Sequence, residues 1–357
     1  MTLDLDTSLT YCTYCPKLCR HVCPVSSAEG RETVTPQTKM ATMRLLRGRT
    51  AIEATVEVAA SLYACTGCGA CTEACHHDIT PGRHLFTGRA DAERAGQGAP
   101  VLATLPERVR AKAQRAALTT RELVAPQRFT AAGETAYLPG CDDPAGAVTA
   151  LALADRLGLP LDVPEGTPGC AGYPLLAGGF DDAFRLHAET VARSLAGFRR
   201  VAVACPSCAW AMKVEYPAHG VPLAPEVVHP TELFAEALQK IPVGEARGEA
   251  FYHDPCYLAR WLGVTEEPRQ LLQRVGVSVR EFSRSRAEGV CCGGGGVLPL
   301  TAPATADAIA AWRLDEVREA GVGSVITACP TCRRRLESDG VASRSLIDVL
   351  EEATRTA

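Results

Sequence analysis

Seventeen cysteines, falling into four groups along 357 residues, restrict what this chain can fold into more than any other feature. A disulfide framework fits badly. The number is odd, the chain is long, and the opening MTLDLDTSLT has neither the basic nor the apolar region of a secretory signal. In a reducing compartment such density points to metal or redox chemistry, and the cytoplasm is the expected location. The net charge of −4 gives no electrostatic reason to expect nucleic acid or an anionic membrane as a partner. No apolar run reaches the roughly 18 residues of a membrane span. The length suggests two or three domains.

The first two groups share one rhythm. Cys65, Cys68, Cys71 and Cys75 follow C-x2-C-x2-C-x3-C, the run that holds a cubane [4Fe-4S] cluster in bacterial ferredoxins. Cys12, Cys15, Cys19 and Cys23 follow it with one extra residue and keep the succeeding Pro24. Three thiolates on a tight turn reach three irons of one cube, while the fourth cysteine faces away and serves the other. The expected ligand sets are therefore Cys12, Cys15, Cys19 and Cys75 for one cubane, and Cys65, Cys68, Cys71 and Cys23 for the other. Two zinc sites are the alternative, although zinc usually separates its cysteine pairs by a longer loop. His76 replaces the usual proline beside His77, and both are expected at the surface or behind the ligands.

The segments TKMATMRLLRGR (38–49) and AIEATVEVAASLY (51–63) read as helices joining the two sites. A mainly α, ferredoxin-like two-cluster domain is thus expected over 1–85. A helical connector over 86–132 should end in a loop around Pro126. The chemistry gives it no role, which makes it the expected docking face for a partner.

The remainder repeats itself. ETAYLPGC matches GEAFYHDPC, GCAGYPLLAGG matches CCGGGGVLPL, and RRVAVACPSC matches VGSVITACPTC. A period of about 110 residues is too long for a solenoid unit. It reads as two similar α/β lobes over 133–245 and 246–357, with strands running into cysteine loops and helices such as DDAFRLHAETVARSLAGF between them. The second lobe gathers Cys256, Cys291, Cys292, Cys329 and Cys332, more sulfurs than a tetrahedral zinc or an ordinary cube requires. Gly293 to Gly296 are expected to let the backbone pass close to a bulky inorganic centre.

YHDPC, CCGGGG and ACPTC together resemble the cysteine-rich CCG domain of heterodisulfide reductase B/D-type subunits, which also occurs in glycolate and lactate oxidase iron–sulfur subunits. The pattern C-x34-CC-x36-C-x2-C covers 256–332. The resemblance implies a non-cubane [4Fe-4S] cluster on Cys256, Cys291, Cys292, Cys329 and Cys332, which would be catalytic if the chain itself performs the reaction. In the first lobe the motif is degenerate, with Gly169 and Cys170 where it has two cysteines. Cys141, Cys170, Cys205 and Cys208 remain, a set suited to zinc or a further [4Fe-4S] cluster.

His253 and Asp254 read either as an acid–base pair or as a loop support and a helix cap. His229, in HPTELF, reads as a capping residue. Arg333, Arg334 and Arg335 read either as offsetting an anionic centre or as a solvated helix face. CGGGG lacks the G-x-G-x-x-G spacing and no P-loop lysine follows, so no intrinsic flavin or NAD site is expected.

A chain with clusters alone moves electrons singly and needs a two-electron partner. The resemblance implies an electron-transfer subunit that links a flavoprotein, or an electron-transferring flavoprotein, to a quinone or other carrier, with any membrane association made through another polypeptide. Catalytic cleavage of a heterodisulfide is the alternative, and a zinc-stabilised scaffold is a distant third.

Overall fold

The computed structural model describes residues 3–48, 55–166 and 168–355. The chain starts as a helical unit. Asp4 accepts the Thr7 amide at 2.9 Å and caps the helix Leu5–Tyr14, while Thr35 accepts the Thr38 amide and Pro36 opens the helix Pro36–Arg47. The second linking helix runs Val56–Tyr63, and the start of the expected segment, at 51–54, lies outside the described residues. Leu9, Met40, Met43, Leu62, Ile79 and Leu85 close a small core between these helices. The helix Pro81–Arg94 passes straight through the expected domain limit at 85, because nothing in GRHLFTGRADAER interrupts its ladder. The connector that follows is one long helix, Leu105–Leu123.

The two lobes are open parallel sheets. The first has β1 (Phe129–Thr130), β2 (Ala132–Leu138), β3 (Val163–Pro164), β4 (Gly197–Val203) and β5 (Glu226–Val228). β2, β4 and β5 pair in that order, and β3 lies on the far side of β2 through the Ala136–Asp162 bridge. The second has β6 (Glu249–His253), β7 (Ser278–Glu281), β8 (Ser324–Thr327) and β9 (Ala342–Ser345), in the order β7-β6-β8-β9. Setting aside the two-residue β1, which pairs with β3, each lobe carries its strands in the sequential order 2-1-3-4, the repeat written as topology. Parallel pairs need crossovers, and the helices Gly146–Arg156, Asp181–Leu195, Glu267–Arg274 and Pro303–Glu319 supply them.

The closing helix Leu346–Arg355 leans back on Gly146–Arg156 in the first lobe, with Arg156 on Glu351 at 2.6 Å. Buried Tyr137, Ala202, Phe234, Tyr252, Ile326 and Leu350 join the lobes into one core. A second core, including Tyr63, Phe86, Tyr173, Trp210 and Tyr257, draws on all three parts of the chain. Among the described residues no helix is long and apolar enough to cross a membrane.

Candidate metal centre

In both lobes the cysteines follow the carboxyl ends of strands, where open α/β sheets present their ligands: Cys141 after β2, Cys205 after β4, Cys256 after β6 and Cys329 after β8. The N-terminal thiols form two neighbourhoods. Burial pushes the Cys12 thiol up to about 12, and Cys19, Cys75 and Cys15 add to the shift. Burial likewise raises Cys71 well above the usual thiol range, reinforced by Cys65, Cys68, Cys23 and Cys19. The two runs are thus electrostatic neighbours: Cys75 adds to the shift of Cys12, and Cys23 and Cys19 add to that of Cys71. Thiols that oppose one another's ionisation in a buried volume become thiolates together only around cations, so this donor set suits an iron cluster. Gly67, at φ +68, turns its N–H onto Cys65 Sγ at 3.3 Å.

In the first lobe, Cys141 contacts Cys170, Cys170 contacts Cys208, and Cys208 contacts Cys205. Hydrogen bonding to Cys170 holds the Cys141 thiol up, and burial adds to it. Gly169, which stands in place of a fifth cysteine, has φ +64, and a Cβ there would lie 2.2 Å from the carbonyl oxygen of Ala113. The Leu105–Leu123 helix therefore excludes any side chain at that position, and the four-thiol set is a steric consequence of the fold.

The second lobe explains the adjacent pair. Cys291 turns toward Cys256 and, across the domain junction, toward Cys68. Cys292 turns the other way, with its Sγ 3.2 Å from Cys332 Sγ and Cys329 beyond. Neighbouring residues thereby deliver sulfur to two sides of one site. His253 brings a buried imidazole into the same group: one of its ring nitrogens lies within 4.8 Å of the Cys292 and Cys332 sulfurs, and its Nε2 has no hydrogen-bond partner.

The four glycines do something other than make room for an inorganic centre alone. A Cβ on Gly293 would lie 2.4 Å from the Ala306 oxygen, on Gly295 2.4 Å from the Thr66 oxygen, and on Gly296 2.1 Å from the Cys65 oxygen. Three of them meet protein backbone, and two of those seat the ferredoxin-like loop against the second lobe. A Cβ on Gly294 would meet the Thr331 side chain at 2.7 Å, with the Cys292 sulfur at 3.4 Å, and Gly293 also donates its amide to Cys291 Sγ at 3.4 Å.

Both lobes open on one cavity of about 460 Å³, lined by all nine of their cysteines. The Leu105–Leu123 helix, read from sequence as a docking face, forms one wall and contributes Arg108, Lys112 and Arg115. Asp142 at the rim is held below the usual carboxylate range, since Lys112, Arg334 and Thr331 together outweigh its burial. The hydroxyls of Tyr173 and Tyr257, 2.8 Å apart, close the inner end.

The remaining expectations divide. His76 and His77 are exposed, with His77 against Tyr11 at 4.9 Å between ring centroids. His229 caps its helix: its Nδ1 accepts the Thr231 amide at 3.2 Å, and Glu232 accepts the His229 amide at 2.7 Å. Asp254 caps nothing. It makes a bidentate pair with Arg269 at 2.8 and 2.9 Å and accepts the Arg286 amide at 2.7 Å, so it is committed to structure. Arg334 and Arg335 pair with Asp142 and Asp307 at 2.8 and 2.9 Å, and Arg333 approaches Asp143 at 3.6 Å. Neither a free face nor a bare counter-charge describes them.

Comparison with known proteins agrees with this layout. Residues 8–79 match a 4Fe-4S dicluster domain, and residues 135–213 and 250–337 match a cysteine-rich domain called CCG. The chain is 28% identical to one of the subunits of fumarate reductase (CoM/CoB) from Methanothermobacter marburgensis over 81% of its length. It is 31% identical to one of the subunits of dihydromethanophenazine:CoB–CoM heterodisulfide reductase from Methanosarcina barkeri over 61%. It is 32% identical to EtfAB:quinone oxidoreductase of Syntrophomonas wolfei over 44%. These matches span 60%, 58% and 23% of the relatives' own lengths.

Proposed function

From a chain that carries two cysteine-rich CCG domains behind a 4Fe-4S dicluster domain, we propose an iron–sulfur electron-transfer subunit of an oxidoreductase complex. Cys12, Cys15, Cys19 and Cys75 hold one cubane, and Cys65, Cys68, Cys71 and Cys23 hold the second. Cys256, Cys291, Cys292, Cys329 and Cys332 hold the CCG cluster, and the four thiols of the first lobe hold zinc or a further cluster. Such clusters, when bound, supply one-electron steps. The observation that carries the reading is the packing of Cys68 with Cys256 and Cys291 in one buried cluster, which brings the ferredoxin-like loop against the second-lobe site.

The partner proposed is a flavoprotein, with a quinone or other carrier at the far end; the EtfAB:quinone oxidoreductase relative supports that pairing. The test is iron, zinc and acid-labile sulfide on anaerobically purified protein, with EPR before and after reduction by a reduced electron-transferring flavoprotein. About twelve irons with one zinc, or about sixteen irons if the first lobe holds a further cluster, and flavoprotein-driven reduction are expected. A colourless protein that holds zinc alone refutes the proposal.

A second reading, cleavage of a disulfide, is favoured by one feature: the two lobes share a cavity lined by nine sulfurs. There Arg108, Lys112 and Arg115 would orient an anionic disulfide, and the Tyr173–Tyr257 pair would lie within the proton path. Two electrons and two protons would release two thiols. Absence of thiol release from any heterodisulfide by reduced, iron-replete protein counts against it.

A further inference from the structure

Two guanidinium groups join the ferredoxin-like loop to the segment around the paired cysteines, Arg89 at the glycine loop and Arg260 at residues 287–289. Arg89, 0% exposed, donates to the Cys65 oxygen at 3.0 Å and to the Gly296 oxygen at 2.9 Å, and also to Leu62 and Ala177. Arg260 donates to the Cys68 oxygen at 2.6 Å, to Gly289 at 2.6 Å and to Ala287 at 2.8 Å. A π-helical turn, Tyr257–Trp261, presents Arg260 in this direction, and Trp261 follows it onto the Gly67 oxygen at 3.1 Å. Among the described residues neither guanidinium bonds a carboxylate.

A buried cation without a counter-ion loses several kcal/mol of solvation, and carbonyl oxygens offset this only in part. The groups around Arg260 identify what completes it. Its guanidinium is fixed on the Cys68 oxygen and on the Gly289 oxygen, two residues before Cys291, and its own turn follows directly on Cys256. Those three thiols belong to two different sites. The Arg260 Nη2 is sealed from solvent and has no partner.

We infer that Arg260 is a positioning residue whose fixed positive charge, shared by the Cys68 loop and the Cys256–Cys291 site, raises the reduction potential of both and makes this junction the electron route between domains. The inference rests on the cluster reading above. Adding an electron makes an iron–sulfur group more negative, and a fixed cation in a low-dielectric surrounding favours that reduced state. Arg89, whose bonds reach Cys65 and Gly296, acts mechanically at the opposite end of the same junction.

The experiment is an EPR-monitored redox titration of wild-type protein, R260K and R260Q, each with iron and sulfide measured first. R260Q is expected to lower the reduction equilibrium of the second-lobe group at least tenfold, which is 59 mV for one electron. R260K, which keeps the charge, is expected to stay within about threefold of wild type, under half of that shift. Iron-replete R260Q at the wild-type potential overturns the inference. Should R260Q fail to hold iron, R260K decides: iron retained at the wild-type potential supports the charge role. Iron lost with lysine as with glutamine overturns it and leaves Arg260 a structural fork. Wild-type protein without iron would overturn the cluster reading instead, so the two failures are distinct.

Discussion

Substituting two glycines of CGGGG, with Gly30 as a reference outside it, separates two effects that the structure assigns to different positions. Gly30 has φ +63 and open space around it, so alanine there meets only the left-handed backbone penalty, about 1–2 kcal/mol. Gly295 has an ordinary backbone, but its Cβ would sit 2.4 Å from the Thr66 oxygen, about 1 Å inside van der Waals contact. Forcing the loops apart by that amount costs about 1–3 kcal/mol. Gly296 combines both, with φ +62 and a Cβ 2.1 Å from the Cys65 oxygen, for a total of about 2–5 kcal/mol. At about 1.3 °C per kcal/mol for a chain of this length, Gly296→Ala should unfold about 3–7 °C below wild type. The other two should fall between. Thermal unfolding of anaerobic protein reads this order, and EPR of the same samples reports whether the cluster sites survive. Gly295→Ala at the wild-type midpoint, or Gly296→Ala no worse than Gly30→Ala, would refute the seating of one loop on the other.

Asp254→Ala breaks a pair in which both side chains are buried; the usual loss is about 3–5 kcal/mol. Arg269 keeps Glu281 at 2.6 Å, which should reduce the loss to about 2–3 kcal/mol in chemical denaturation; a loss under about 1 kcal/mol contradicts the structural role. Burial holds His229 neutral, with its pKa lowered from 6.5 to about 4. The unfolded chain therefore binds the extra proton first, and stability falls as pH drops from 6.5 toward 4, by up to about 1.4 kcal/mol per unit. H229N should remove the His229 share of that slope and leave the share of the two other histidines whose pKa burial lowers, His253 and His84; an unchanged slope would show that His229 does not contribute. Cys23→Ala should abolish the same cubane EPR signal as Cys65→Ala, leaving the signal lost in Cys19→Ala. Loss of the Cys19-dependent signal instead would rule out the crossing of the fourth ligand.

The sequence alone determined whatever is local. Cysteine spacing within eleven or so residues fixes which thiols share a turn, because a short loop has few ways to point three sulfurs at one centre. The HPTELF cap, the strands that run into cysteine and the doubled α/β lobe were legible for the same reason: their signals lie within one turn or one strand. Only the tertiary structure decided what the glycines face, since the Thr66 carbonyl that meets Gly295 lies more than two hundred residues earlier. The same holds for Arg89 and Arg260, whose partners are carbonyl oxygens 207 and 192 residues away and leave no mark on local composition. The missing cysteine at Gly169 reads in sequence as a degenerate motif. In the fold it is the space required by the Ala113 carbonyl of a helix that sequence had left without a role. Contacts between distant backbones depend on shape rather than residue type, and shape exists only once the lobes and the ferredoxin-like domain have packed.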